Sequence, residues 1–153
     1  MSSGIQMMMS NSQAILDNSV LDPQEAALAE RFVRWLDSGI RPQQLFHAEV
    51  FADISLPHWR VQGTNPEELY AIREDDHSGQ SHIRVEHLDR TSRGFLLQFE
   101  ERWTAGGLAW YARELIHAIV EGGLITEMSV YCTGDWDQAT QRRHAAEVRL
   151  TRP

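Results

Sequence analysis

The chain has 153 residues, of which 42% are hydrophobic and 24% charged. That length suits one domain around one core, and that composition suits a globular protein. A net charge of −8 with scattered basic residues argues against a nucleic-acid partner, which asks for a basic patch or stripe.

Residues 1–20, "MSSGIQMMMSNSQAILDNSV", hold no basic leader region and no apolar run long enough for a signal peptide or a membrane span. Their Ser, Asn and Gln content reads as a flexible arm, with Met7, Met8 and Met9 packing on a partner or fraying. One domain is expected over 21–153, in the cytoplasm. The single cysteine, Cys132, allows no intrachain disulfide and fits a reducing compartment. Among apolar neighbours it reads as a small core residue. A catalytic thiolate would need a basic helix N-terminus beside it, and none adjoins it in sequence.

"LDPQEAALAERFVRWLDSG" predicts a helix, with Asp22 as N-cap, Pro23 at N1 and Glu25 completing a capping box. Leu28, Phe32, Val33 and Leu36 share its buried face, and Ser38-Gly39 ends it. Pro42 is expected to start a short helical turn, and "EVFADISL" a strand that Pro57 breaks. "GTNPEELYAIRE" repeats the capping logic with Asn65, Pro66 and Glu68; Leu69, Tyr70 and Ile72 face inward. "DDHSGQ" reads as a polar loop.

From 81 to 133 the pattern is antiparallel sheet. In "SHIRVEHL", Ile83 and Val85 oppose His82, Arg84 and Glu86. In "FLLQFEERW", Phe95, Leu97, Phe99 and Trp103 oppose Leu96, Gln98, Glu100 and Arg102. "LAWYARELIHAIVE" is a long, curving strand, followed by a Gly122-Gly123 hairpin and "LITEMSVYCT". The tail "DWDQATQRRHAAEVRLTRP" suggests a last helix capped by Asp135, with Gln138 at N3.

In this order the segments "ALAERFVRWLDSG", "LFHAEVFADISL", "NPEELYAI" and "GGLITEMSVYCTGDWD" resemble the nuclear transport factor 2-like superfamily, and within it the SnoaL-like group, over roughly residues 22–137. The resemblance implies an α+β fold, a curved antiparallel sheet wrapped around N-terminal helices into a cone with an internal pocket. It also implies that Tyr131 and the Asp135-Trp136-Asp137 cluster lie at or just past the end of the last strand. Relatives in that superfamily include ketosteroid isomerase, polyketide cyclases, scytalone dehydratase and limonene epoxide hydrolase, beside non-catalytic modules, so the fold alone does not name a reaction.

Isomerase chemistry needs a general base and donors for a developing enolate. Ala52-Asp53 resembles the pair that precedes the steroid isomerase base, but that base would fall near His58 or Trp59, neither an acid. His58 stands either as a base or as a rim histidine beside a packing Trp59. The Asp-Arg-Asp set of limonene epoxide hydrolase finds Arg113 and Glu114 as neighbours on one strand, which cannot both enter a cavity; with Glu100 and Arg102 they suit cross-strand ion pairs. The scytalone dehydratase set of tyrosines, Asp and histidines finds no pattern among Asp53, Tyr70, Tyr131, His82, His87 and His117. If the Tyr111 face lines the cavity, His117 sits there among apolar residues; the alternative is a buried histidine bonded to a carbonyl.

The resulting expectation is an isomerase, cyclase or dehydratase-type enzyme with acid/base chemistry, or a non-catalytic module of the same fold. His58, His117 and Asp53 are its candidate catalytic residues. Trp59, Trp103, Tyr131, Phe51 and Tyr70 are its candidate substrate-binding residues. The partners expected are a small apolar organic ligand and a second copy bound through the sheet face. No cofactor is expected, and no metal, since His82 and His87 differ by five and on a regular strand face opposite ways. No phosphate loop or nucleophile elbow occurs.

Overall fold

The computed structural model describes residues 21–77 and 79–153; the arm expected over 1–20 lies outside them. Helix α1 spans Pro23–Ser38 and α2 Pro66–Asp76, and α3 spans Gln138–Glu147. Six strands, β1 Phe46–Leu56, β2 Trp59–Gly63, β3 His82–Arg90, β4 Gly94–Ala105, β5 Leu108–Glu121 and β6 Leu124–Cys132, form one open sheet in the order β2-β1-β6-β5-β4-β3. Strands β3 to β6 follow one another as antiparallel hairpins. The β1–β6 pair is parallel, so the sheet is mixed, whereas the sequence reading had it antiparallel.

Both capped helices begin where the sequence places them. The Asp22 carboxylate accepts from Glu25 N–H at 2.8 Å, and Asn65 Oδ1 accepts from Glu68 N–H at 3.0 Å. Each satisfies one of the amides that a helix start leaves unpaired. Helix α1 closes at Gly39, in the left-handed region at φ 73°, with its N–H bonded to Trp35 O. Leu28, Phe32 and Leu36 are buried as the spacing predicts, and Trp35 joins them. Phe32, Trp35, Phe46 and Tyr70 meet at centroid distances of 5.1 to 6.5 Å, four of the five contacts edge-on and Phe46–Tyr70 tilted, and edge-on is a geometry that ring quadrupoles favour.

Four local expectations change. The segment after Pro42 is a bend, not a helical turn. Pro57 does not merely stop β1: with His58 it turns the chain back into β2, pairing Leu56 with Trp59. In β3 the register slips between Val85 and His87, an extra residue that shifts the alternation by one. It places His82 opposite Arg102 and His87 opposite Gln98, so both histidines lie on the outer face. Finally, α3 is capped by Asp137, whose Oδ1 accepts from Thr140 N–H at 2.7 Å, rather than by Asp135.

The last strand continues past β6 in one place. Tyr111 and Trp136 exchange both backbone hydrogen bonds, at 3.1 and 2.7 Å. Opposed residues share a face, so Trp136 lies with Tyr111 on the outer side, their rings 5.4 Å apart. Its neighbour Asp135 turns to the inner side. Gln138 and Gln141 then bond the N–H and C=O of Ala109, which β6 no longer reaches. Where β4 begins, a Cβ on Gly94 would stand 2.0 Å from Ala118 O. Gly94→Ala should therefore destabilise by about 2 kcal/mol or more in urea unfolding, against about 1 kcal/mol for Gly106→Ala in an open turn.

Candidate functional site

The sheet curls its inner face around α1 and α2 and leaves a cavity of about 260 Å³. Phe32, Trp35, Ile54, Leu56, Ile116 and Val130 give it apolar walls, and one end carries Arg73, Asp76, His77, Glu114 and Asp135. Each polar group arrives by a different element. Arg73, Asp76 and His77 come from the last turn of α2 and the residue after it, Glu114 from the inner face of β5, and Asp135 from the extension of β6.

Arg73 and Glu101 anchor this end. Glu101 is on the inner face of β4, opposite Ala112, whose small side chain leaves it room, and it is 0% exposed. Arg73 bonds it with both terminal nitrogens, at 2.8 and 2.6 Å, a bidentate fit suited to guanidinium and carboxylate. The same guanidinium donates to Leu36 O at 3.2 Å, tying α2 to α1. Burial alone would lower the Arg73 pKa, but the bonds to Glu101 outweigh it and hold the cation above its ordinary value.

Glu114 has no such partner. Part of its surface stays accessible, onto the cavity it lines, and no hydrogen bond reaches it among the described residues. Burial raises its carboxyl to about 7; the charges of Glu101 and Asp135 push the same way, while Arg73 and His77 oppose them. This is the environment that readies a carboxylic acid for proton transfer at neutral pH. His77 stands between two carboxylates, Nδ1 3.6 Å from Glu101 and Nε2 3.6 Å from Asp135, with its side chain 8% exposed. Nδ1 is buried without a hydrogen bond. The ring lies 4.0 Å from that of Trp103. Cys132 also lines the cavity, but burial pushes its thiol up to about 12, which keeps it neutral. Among the described residues no three His, Cys, Asp or Glu side chains are placed to hold a metal ion.

No family model and no curated protein matches the sequence. Solved structures do match. An NTF2-like protein from Anabaena variabilis aligns with TM-score 0.62 at 13% identity, covering 73% of this chain and 88% of its own. An LEH-like epoxide hydrolase from M. tuberculosis aligns at 0.54 and 10%, over 71% and 82%. A Rhodopseudomonas palustris protein provisionally named an isomerase aligns at 0.55 and 11%, over 72% and 90%. This chain has the NTF2-like fold. At these identities the likeness establishes architecture and leaves the chemistry to the site.

In this NTF2-like cone the residues expected to act from the sequence do not line the cavity. His117 is exposed on the outer face of β5, the face opposite Glu114 and Ile116. His58 is exposed in the turn between β1 and β2. Asp53 lies on the outer face of β1, where the Arg60 guanidinium bonds it and lowers its pKa. Tyr131 is 62% exposed on the outer face, paired with Ser55, and Phe51 lies on the same face of β1 farther along, paired with Glu127. Tyr70 is in the aromatic core, its hydroxyl donating to Pro42 O. Trp59 shares the inner face with Leu56 but is 71% exposed at the rim. Trp103 comes nearest, as the backing of His77. Of the four charges expected to pair across strands, Arg113 and Glu100 do so with other partners, Arg113 with Glu86 at 2.9 Å and Glu100 with Arg84 at 2.8 Å; Arg102 is 3.8 Å from Glu100 on its own strand, and Glu114 turns inward.

Among the described residues no helix is long and apolar enough to cross a membrane. The missed residues carried partial signals. Glu101 falls between Phe99 and Trp103 on the apolar face of β4, and Glu114 has the parity of Ile116. Arg73 and His77 had none, because their role depends on which strand α2 meets.

Glu101→Gln leaves a buried guanidinium without its counter-charge and should cost about 3–5 kcal/mol in chemical denaturation, most of it recovered in the double variant Arg73→Met, Glu101→Leu. The folded-state value of Glu114, about 7, lies above its ordinary 4.5. Between the two the folded chain keeps a proton that the unfolded chain has released, so this contribution to stability is complete below 4.5 and lost as pH rises through 7. Glu114→Gln cannot ionise, and should gain about 2–3 kcal/mol on the wild type between the two ends of that window.

Proposed function

We propose that this chain is an acid/base enzyme acting on a small, largely apolar organic molecule, with Glu114 as the group that takes and returns a proton. The observation that carries this reading is an unbonded carboxyl, raised to about 7, facing an apolar cavity. A group titrating near the working pH spends time in both protonation states, which proton abstraction and return both require. His77, its Nε2 3.6 Å from Asp135 on another wall of the same cavity, is the second proton-transfer group. Packing against Trp103 gives its ring a defined place. Arg73 and Glu101 position these groups without touching substrate. The arrangement suits proton transfer of the isomerase, cyclase or dehydratase type, and the SnoaL-like resemblance of the sequence agrees with it.

A second reading is activation of water for epoxide opening. Arg73 stands between Glu101 and the carboxylates of Glu114 and Asp135, an acid–arginine–acid set drawn from residues other than those the strand sequence suggested, and one structural neighbour is an LEH-like epoxide hydrolase. The expected homodimer through the sheet face rests on the neighbouring exposed Leu115 and Tyr131 of the outer side.

NMR detection of deuterium uptake by a panel of enolisable ketones, run beside hydrolysis of a panel of epoxides, separates these readings. The active class should show a rate that rises as Glu114 ionises near pH 7, and Glu114→Gln should lose about a hundredfold or more. Ligands that bind without exchange or turnover would instead make the chain a non-catalytic binding module.

A further inference from the structure

The charged end of the cavity has more carboxylates than cations. Asp76, Glu114 and Asp135 line it, and Glu101 stands directly behind. Facing them from α2 and the residue after it are one arginine and one histidine. The arginine is already committed: both its terminal nitrogens bond Glu101, and one also reaches Leu36 O. A ligand carboxylate or phosphate entering here would meet three acids and no free guanidinium. Glu114 lies in the apolar wall, while Asp76 and Asp135 are more exposed; together their like charges disfavour an anion. Among the described residues no arginine bonds Asp76, Glu114 or Asp135; Asp135 has the His77 contact at 3.6 Å, and the Glu114 carboxyl has no hydrogen bond. His77 lies between two of these acids, its side chain over nine-tenths buried, with Nδ1 directed at the buried Glu101 and Nε2 at Asp135, each at 3.6 Å.

Several acids outside the cavity are paired with arginines: on the outer face Glu86 bonds Arg113, Glu100 bonds Arg84 and Asp53 bonds Arg60, and on α2 Glu74 bonds Arg41. Each of these four carboxylates has an arginine within hydrogen-bond distance. Of the four acids at the charged end, only Glu101, behind the cavity wall, does so among the described residues.

We infer that the cavity takes an apolar molecule carrying a protonated amine, its ammonium seated between Glu114 and Asp135 and its hydrocarbon body against Trp35, Phe32, Ile54 and Leu56. This rests on the cavity being the ligand site proposed above and names the class of ligand. An ammonium has three donors to share, which two carboxylates on different walls can accept together. Its charge would also draw Glu114 toward ionisation, so that arrival of the ligand prepares the base and releases a proton.

Three probes with one phenyl body test it: phenethylamine, phenethyl alcohol and phenylacetate, titrated into the whole chain and followed by the NMR shifts of cavity residues. The amine should bind about tenfold or more tighter than the alcohol, and phenylacetate weakest. Asp135→Asn should reduce the amine's advantage to about threefold or less while leaving the alcohol's affinity in place. Calorimetry in buffers of different ionisation heat should show proton release with the amine in the wild type and none in Glu114→Gln. Equal affinity for amine and alcohol would overturn the inference and leave the cavity as a ligand site. Preference for phenylacetate would overturn it as well. Failure of all three to bind would remove both this inference and the ligand-site reading beneath it.

Discussion

The Arg73–Glu101 pair sets the geometry on which the site depends. A carboxylate with no exposed surface on a curved sheet is tolerable only with a cation bonded to it, and the cation comes from the last turn of α2. The pair therefore fixes where that helix ends against the sheet, and the next residues after Arg73 on the cavity side, Asp76 and His77, inherit their positions from it. The link from Arg73 to Leu36 O draws in the end of α1 as well. A local electrostatic need thus becomes a constraint on three elements at once.

The same commitment explains the chemistry. Because the guanidinium bonds Glu101, the neighbouring Glu114 receives its field but not its hydrogen bonds. Desolvation then dominates, and the carboxyl rises toward neutrality. The outer-face acids run the opposite way: Glu86 and Glu100 are bonded by arginines and lie below the ordinary range. One strand, β5, carries both solutions, with Arg113 turned outward into an ion pair and Glu114 turned inward without one. Under the proposed function, stability and reactivity pull apart at Glu114, since an unpaired acid in an apolar wall costs the fold what it would offer to proton transfer.

The fold was largely legible because its signals are local. Asp22-Pro23 and Asn65-Pro66 announce helix starts by chemistry that needs no tertiary contact, and period-two alternation marks β3 to β6. The misreadings occur where one residue changes parity or pairing. The extra residue in β3 reverses the faces after Val85. The turn at Pro57-His58 makes a hairpin out of what looked like a strand ending. Asp135 and Asp137 are both acids two residues apart near a helix start, and only the Tyr111–Trp136 backbone pair decides that the second caps and the first turns inward. The expected histidines lie off the cavity for a similar reason: alternation puts His117 and Glu114 on opposite faces of β5 but cannot say which face is concave.

The sequence by itself determined the helix caps, the strand faces and the resemblance to an NTF2-like cone, because these follow from hydrogen bonding and periodicity within a few residues. The tertiary structure decided which face of the sheet became the cavity wall, and so that Glu114 rather than His117 faces the cavity. It also decided that Arg73, His77 and Asp135, separated by up to a sheet's worth of chain, meet at one end of the cone. Burial and distance set a carboxyl's pKa, and both are properties of the packed chain.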